Sequence, residues 1–309
     1  MKRVVVTGVT AAAALAAIAL CIVPGCTERG SASDLYVLEE LETASRLVNP
    51  EERVGRLGIF TGNHSRHPYR MLGYRRLFET LAGDIGDRDR ATSYLDGVLA
   101  AEKEEKVRGE LWYARFAYLW DADRAAAVEL AEDLCAGSEH YYRLFFYLAL
   151  YLMDDEEQAG LAERCFVKAG GLAPSGPERD QVLGEYGVFL EGAGRTDEAL
   201  AFLQKAAAYP FARETLGRIL WDRDEREAAI DAYLHLVARV PGARGRICLD
   251  SLYAIVYPGA GDLDERIMER RMADEMTVPD AHFVDIEGRA YRLGRFRGTP
   301  LALFVFSPT

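Results

Sequence analysis

The chain has 309 residues, 50% of them hydrophobic and 28% charged, with 37 Lys and Arg against 49 Asp and Glu for a formal net charge of −12. This is the composition of a folded globular protein. Its acidity excludes a general nucleic-acid binder and disfavours adhesion to anionic lipid headgroups.

Lys2 and Arg3 precede an apolar run from Val4 to Val23, interrupted only by Thr7, Gly8 and Thr10 and followed by Pro24, Gly25 and Cys26. Charge, then an apolar run, then small residues is the order of an export signal, here residues 1–25. Gly25 before Cys26 resembles a bacterial lipobox, which implies lipidation of Cys26 after cleavage. An uncleaved anchor and soluble secretion are the alternatives, since the run is nearly long enough to span a bilayer. Residues 26–33 then form the lipidated cysteine and a short polar tether. The implied location is the bacterial cell envelope, with the protein held at the membrane and facing the periplasm or the exterior.

Asp34 to Val48 reads as an amphipathic helix ended by Asn49-Pro50, and Glu51 to Tyr69, rich in Arg and Gly, reads as irregular. His64-Ser65-Arg66-His67 has a spacing that binds metal on a helix. It falls in this irregular stretch without a nearby Cys or acidic third ligand, so neither a metal nor a cofactor is expected. Cys135, Cys165 and Cys248 are too few and too scattered for a disulfide framework and read as small buried apolar residues; a Cys135–Cys165 bridge is the alternative. No nucleophile triad, phosphate loop or paired-carboxylate motif stands out.

The middle of the chain repeats. Gly187 to Leu200 (GVFLEGAGRTDEAL) is the clearest unit, followed by Leu203 and Ala206; the next carries Gly217, Leu220, Ala229, Tyr233 and Pro241. These units resemble a tetratricopeptide repeat: a small residue on helix A, a Gly-Arg/Asp turn, then Glu-Ala-Leu opening helix B. A small helix-B residue marks five units at Ala91, Ala127, Ala162, Ala199 and Ala229, spaced 36, 35, 37 and 30 residues apart. Four residues after each marker come Leu95, Ala131, Phe166, Leu203 and Tyr233; seven after come Val98, Leu134, Ala169, Ala206 and Leu236. Small residues let two helix backbones approach, and larger apolar residues fill the groove at i+4 and i+7. Asp197 and Asp224 fall where they can serve the free amides at the start of helix B.

His140 to Met153 (HYYRLFFYLALYLM) is too short to span a bilayer and carries Arg143, so it reads as a helix A buried on two sides. Trp112, Tyr113, Phe116, Tyr118 and Trp120 crowd the preceding helix A. Most should be core. The resemblance implies that some line a concave helix-A face and grip a protein or peptide, with Trp112, Tyr113, Phe116 and Tyr118 as the candidates.

Gly259 to Asp264 punctuates the chain, and residues 262–276 read as a connecting helix. Then follow Val278-Pro279-Asp280-Ala281-His282-Phe283, an Asp285-x-x-Gly288 turn, Leu293, Phe296-Arg297-Gly298 and the apolar stretch Leu301 to Phe306, ending Ser307-Pro308-Thr309. The order resembles the opening of a thioredoxin-like redoxin domain. In that family, Phe306-Ser307-Pro308-Thr309 would run into the redox Cys-Pro-x-Cys motif, whose nucleophile sits at a helix N-terminus that lowers its thiol pKa. The sequence stops before it. A stop codon UGA encoding selenocysteine at the next position would account for this, as would a sequencing error, a frameshift or a partial gene model.

The expected fold is mainly α: a tetratricopeptide-like solenoid over residues 34–261, with an incomplete β fragment of a thioredoxin-like fold over 277–309. The expected function is a lipid-anchored scaffold that binds a protein or peptide, without catalysis by these residues themselves. The rivals are a membrane-tethered thiol–disulfide oxidoreductase whose catalytic Cys or selenocysteine lies beyond Thr309, and a structural envelope lipoprotein.

Overall fold

A computed structural model describes residues 32–206, 209–240, 243–273, 282–284 and 290–292. The export signal, Cys26 and the segment from Phe306 to Thr309 lie outside them. The chain divides into two compact units, residues 1–154 and 155–309.

In the first unit the helices are α1 (Ala32–Ser45), α2 (Pro50–Asn63), α3 (Arg70–Glu79), α4 (Arg88–Ala101), α5 (Glu105–Ala122), α6 (Arg124–Ala136) and α7 (Tyr142–Leu152); a π-helical turn, Thr80–Ile85, extends α3. In the second they are α8 (Ala159–Leu172), α9 (Pro177–Gly192), α10 (Thr196–Lys205), α11 (Ala212–Asp222), α12 (Arg226–Arg239), α13 (Ala243–Val256) and α14 (Leu263–Ala273). A short antiparallel hairpin follows: β1 (His282–Val284) pairs with β2 (Ala290–Arg292), with Phe283 opposite Tyr291. The strands flank the Asp285-x-x-Gly288 sequence.

Within each unit the helices stack as a repeat. The α5–α6, α9–α10 and α11–α12 hairpins pack along their length, and successive first helices also touch: α3 on α5, α5 on α7, α9 on α11. Each alanine marker is the fourth residue of its second helix, in α4, α6, α8, α10 and α12, and each is fully buried. Four residues on, Leu95, Ala131, Phe166, Leu203 and Tyr233 are buried too; seven on, Leu134, Ala169, Ala206 and Leu236 are buried and Val98 is half-buried. Burying a large apolar side chain contributes about 1.5–3 kcal/mol, so these stripes bind the pairs together. No pair could cover its own apolar face alone.

Three sequence expectations change. Glu51 to Asn63 is not irregular: it lies in α2. Asn49 does not merely end α1 but caps α2, its Oδ1 accepting from the amides of Glu51 (2.9 Å) and Glu52 (3.2 Å), with Pro50 in the first turn. Gly55, Gly58 and Gly62 each cost about 1 kcal/mol in a helix. Fully buried Leu57 and Phe60 offset that cost. Second, Asp197 lies in the first turn of α10 and Asp224 in the turn before α12 as expected, but neither supplies a side-chain cap. Third, α14 is more than a connector, because Ile267 is buried and the helix packs on α12.

One device occurs in both units. Glycine on a first helix is covered by a tyrosine that precedes the next first helix, and the phenol donates to the glutamate beside the glycine. Tyr141 covers Gly109 and donates to Glu110 Oε1 at 2.8 Å; Tyr209 covers Gly184 and donates to Glu185. A Cβ on Gly109 would lie 2.2 Å from Tyr141 Cδ1, and one on Gly184 would lie 2.5 Å from Tyr209 Cδ1. Only glycine admits the ring at these two places.

Candidate partner-binding surface

Gly109, Tyr113, Phe116 and Trp120 follow one face of α5, and Arg143, Tyr147 and Tyr151 follow one face of α7 at i, i+4 and i+8. The two stripes meet. The Tyr113 ring lies 4.8 Å from Tyr147 and 6.1 Å from Tyr151, while Tyr151 stands edge-on to Phe116 at 5.6 Å and to Trp120 at 6.0 Å. Such ring pairs each add about 0.5–1.5 kcal/mol beyond burial. Tyr113 (2% exposed) and Phe116 (0%) form the floor, with Trp120, Tyr147 and Tyr151 half-buried above them. The exposed Arg124 guanidinium stacks 4.0 Å from the Trp120 ring centroid.

Charge is placed with care beneath this surface. Glu110 is 5% exposed and is held by the Tyr141 phenol. Arg75 Nε donates to Glu79 at 2.7 Å; burial works against its charge, but Glu79, Tyr113 and Glu110 outweigh that and hold the guanidinium above its ordinary pKa. Burial pushes the Tyr113 and Tyr141 phenols up, so both stay neutral near neutral pH, Tyr141 as the donor to Glu110. Arg143 sits in the first turn of α7, where the helix dipole disfavours a cation. Burial lowers its pKa, and the Tyr142 hydroxyl with the neighbouring phenols more than restores it.

The four sequence candidates divide. Tyr113 and Phe116 are core residues and present no free face in this conformation; the expectation that they grip a partner directly is corrected by their burial. Trp112 and Tyr118 are half-buried on another side of α5, against the core built with α3 and α4, where Tyr118 meets Phe78 at 5.6 Å. Sequence reasoning used Arg143 only against a membrane span and did not single out Tyr147 and Tyr151 within the run. The spacing 143, 147, 151 was the available signal.

The remaining candidates lie elsewhere. His64 Nε2 is 2.9 Å from Glu40 and His67 Nε2 is 3.0 Å from Asp34, so the structure brings α1 carboxylates to both histidines, contrary to the expectation of no acidic neighbour. Each histidine takes its own carboxylate, and no metal-binding group of three or more such residues occurs among the described residues. Cys165 is buried and Cys135 and Cys248 are half-buried; all three are thiols. No described helix, α7 included, is long and apolar enough to cross a membrane.

No protein-family model matches the chain, and no curated protein matches it. Among solved structures it is similar to Pseudomonas aeruginosa PilF, at 16% identity over 64% of this chain and 97% of that one, with a TM-score of 0.43. It is also similar to the Cut9–Hcn1 heterotetramer of APC/C, at 12% identity over 76% of this chain and 51% of that one, TM-score 0.38. A third is a Podospora anserina kinesin light chain protein with TPR-like repeats, at 14% identity over 78% and 98%, TM-score 0.27. These likenesses are loose. The helical-repeat architecture stands on the chain's own buried markers and stacked first helices.

Proposed function

We propose that this chain is a tetratricopeptide-like scaffold that binds a protein or peptide on the first-helix surface of α5 and α7. The observation that carries the reading is the aromatic rim of Trp120, Tyr147 and Tyr151, half-buried over a rigid floor. Tyrosine and tryptophan in that setting supply contact area at little entropic cost, which is why they dominate binding hot spots. The reading extends to export and lipid anchoring through Cys26, on the strength of the N-terminal sequence.

The test is capture from a bacterial envelope fraction by the purified chain, compared with Trp120→Ala and Tyr147→Ala variants whose melting curves match the parent. A specific protein retained by the parent and lost by both variants supports the scaffold; equal capture by all three refutes this surface. Radiolabelled palmitate lost on Cys26→Ser supports the anchor, and label retained there defeats it.

A second reading, a thiol–disulfide oxidoreductase recruiting substrates through the repeats, rests on the resemblance of Val278 to Thr309 to the opening of a redoxin domain. It predicts insulin reduction by a polypeptide extended past Thr309 in frame and none by residues 1–309. No activity in the extended polypeptide would dispose of it.

A further inference from the structure

We propose that the surface of α5 and α7 receives an acidic segment of its partner protein, whose carboxylate engages Arg143. This rests on the scaffold reading above and adds the partner's chemistry.

The argument begins with the other arginines of the first unit. Among its described residues, Arg53, Arg70, Arg75, Arg108, Arg115 and Arg143 are buried or half-buried. Five of them face carboxylates: Arg53 pairs with Asp84, Arg70 with Glu102 and Glu104, Arg75 with Glu79, Arg108 with Glu139 and Arg115 with Asp96. Arg143 is the exception. Its Nε donates to the Tyr142 hydroxyl at 3.0 Å, its guanidinium lies 5.8 Å from the Tyr142 ring centroid, and no carboxylate comes within 4.0 Å.

Arg143 is a half-buried cation whose partners are phenols and not a carboxylate, so its charge is kept and not neutralised. Its two terminal nitrogens donate to no described residue, and they form the fork that matches a carboxylate with two parallel hydrogen bonds. Tyr147 and Tyr151 stand on the same face of α7, so the peptide around that carboxylate would lie on aromatic surface. The chain's net charge of −12 repels acidic segments elsewhere. A half-buried cation without a carboxylate beside it therefore sets register and partner choice more than bulk attraction.

The test uses the whole chain and two fluorescent decapeptides with blocked termini, one alternating Glu and Tyr, the other Lys and Tyr, read by fluorescence anisotropy. The parent should bind the Glu peptide and not the Lys peptide, with affinity falling as salt rises. Arg143→Gln should weaken Glu-peptide binding at least tenfold with melting unchanged, and Arg143→Glu should shift preference to the Lys peptide. Equal binding of both peptides, binding of neither, or Glu-peptide binding untouched by Arg143→Gln would overturn the proposal. So would self-association of the parent that Arg143→Gln abolishes, because the occupant would then be a second copy. Capture that still depends on Trp120 and Tyr147 would leave the scaffold reading standing in each case.

Discussion

The two units start their second helices by different chemistry. In the first, Asp87 and Asp123 cap α4 and α6, their Oδ1 atoms accepting from Arg90 N (3.0 Å) and Ala126 N (3.1 Å). In the second, the residues before α8, α10 and α12 are Gln158, Arg195 and Glu225, and none makes a side-chain cap, although Asp155 caps the short 3-10 turn that leads into α8, its Oδ1 accepting from Glu157 N at 3.0 Å. There, as Gly86 (75°) also does before the capped α4 of the first unit, a residue with positive φ closes the preceding helix, Gly194 (77°) before α10 and Asp224 (62°) before α12. Both closures carry the same crossed pair of bonds: Arg195 N to Leu190 O at 2.9 Å with Gly194 N to Glu191 O at 2.9 Å, and Glu225 N to Leu220 O at 2.9 Å with Asp224 N to Trp221 O at 3.0 Å. Arg195 adds a tie between repeats, its Nη1 donating to both oxygens of Glu163 at 2.8 Å while Nε and Nη2 hold Glu198. The buried alanine four residues into each helix is common to both units. Turn chemistry is interchangeable in this array; the close-packed positions are not.

The comparison is broken most severely at the glycines under the tyrosines. Gly109→Ala and Gly184→Ala should each destabilise their unit by about 2–3 kcal/mol, as overpacking against a fixed ring does, read from urea unfolding followed by circular dichroism. Next come the phenols. Tyr141→Phe leaves the buried Glu110 carboxylate without its donor and should cost about 1–3 kcal/mol. Tyr209→Phe should cost less, since its acceptor Glu185 is only half-buried.

A pH series sharpens the difference further. Burial pushes the Glu102 carboxyl up, but the Arg70 fork and the amides of Glu104 and Lys103 outweigh it and hold the group below the usual carboxylate range. A depressed folded pKa gives stability that is complete above the unfolded glutamate pKa, about 4.3, and lost as pH falls through the folded value. Unfolding of the parent between pH 7 and 3 should therefore lose stability faster than Glu102→Gln, which starts lower and changes less. Parallel curves would remove the Arg70–Glu102 fork from the account. The smallest effects belong to the turns. Asp224→Gly relieves a left-handed residue and should gain about 1 kcal/mol, while Asp123→Ala should lose about 1 kcal/mol with its cap.

Much of the repeat was legible because a small residue at a fixed place in the second helix, with apolar partners four and seven later, is a local pattern. The α2 helix was obscured because three glycines and its arginines mask the two residues that anchor it, Leu57 and Phe60. The tyrosine covers escaped because each joins a Gly-Glu pair to a ring from another loop, 32 residues on for Tyr141 and 25 for Tyr209. Trp112 and Tyr113 are adjacent in sequence and point to different sides of one helix, so aromatic content alone named the helix and not the face. That Arg143 lacks a carboxylate depends on which side chains from other helices arrive beside it, information that no spacing within α7 contains.

The most direct test of the account is amide hydrogen exchange on the chain with and without its captured partner. The account predicts added protection concentrated in the peptides of α5 and α7, with α4 and α6 unchanged. Protection confined to α4 and α6, or spread evenly over the first unit, would contradict it.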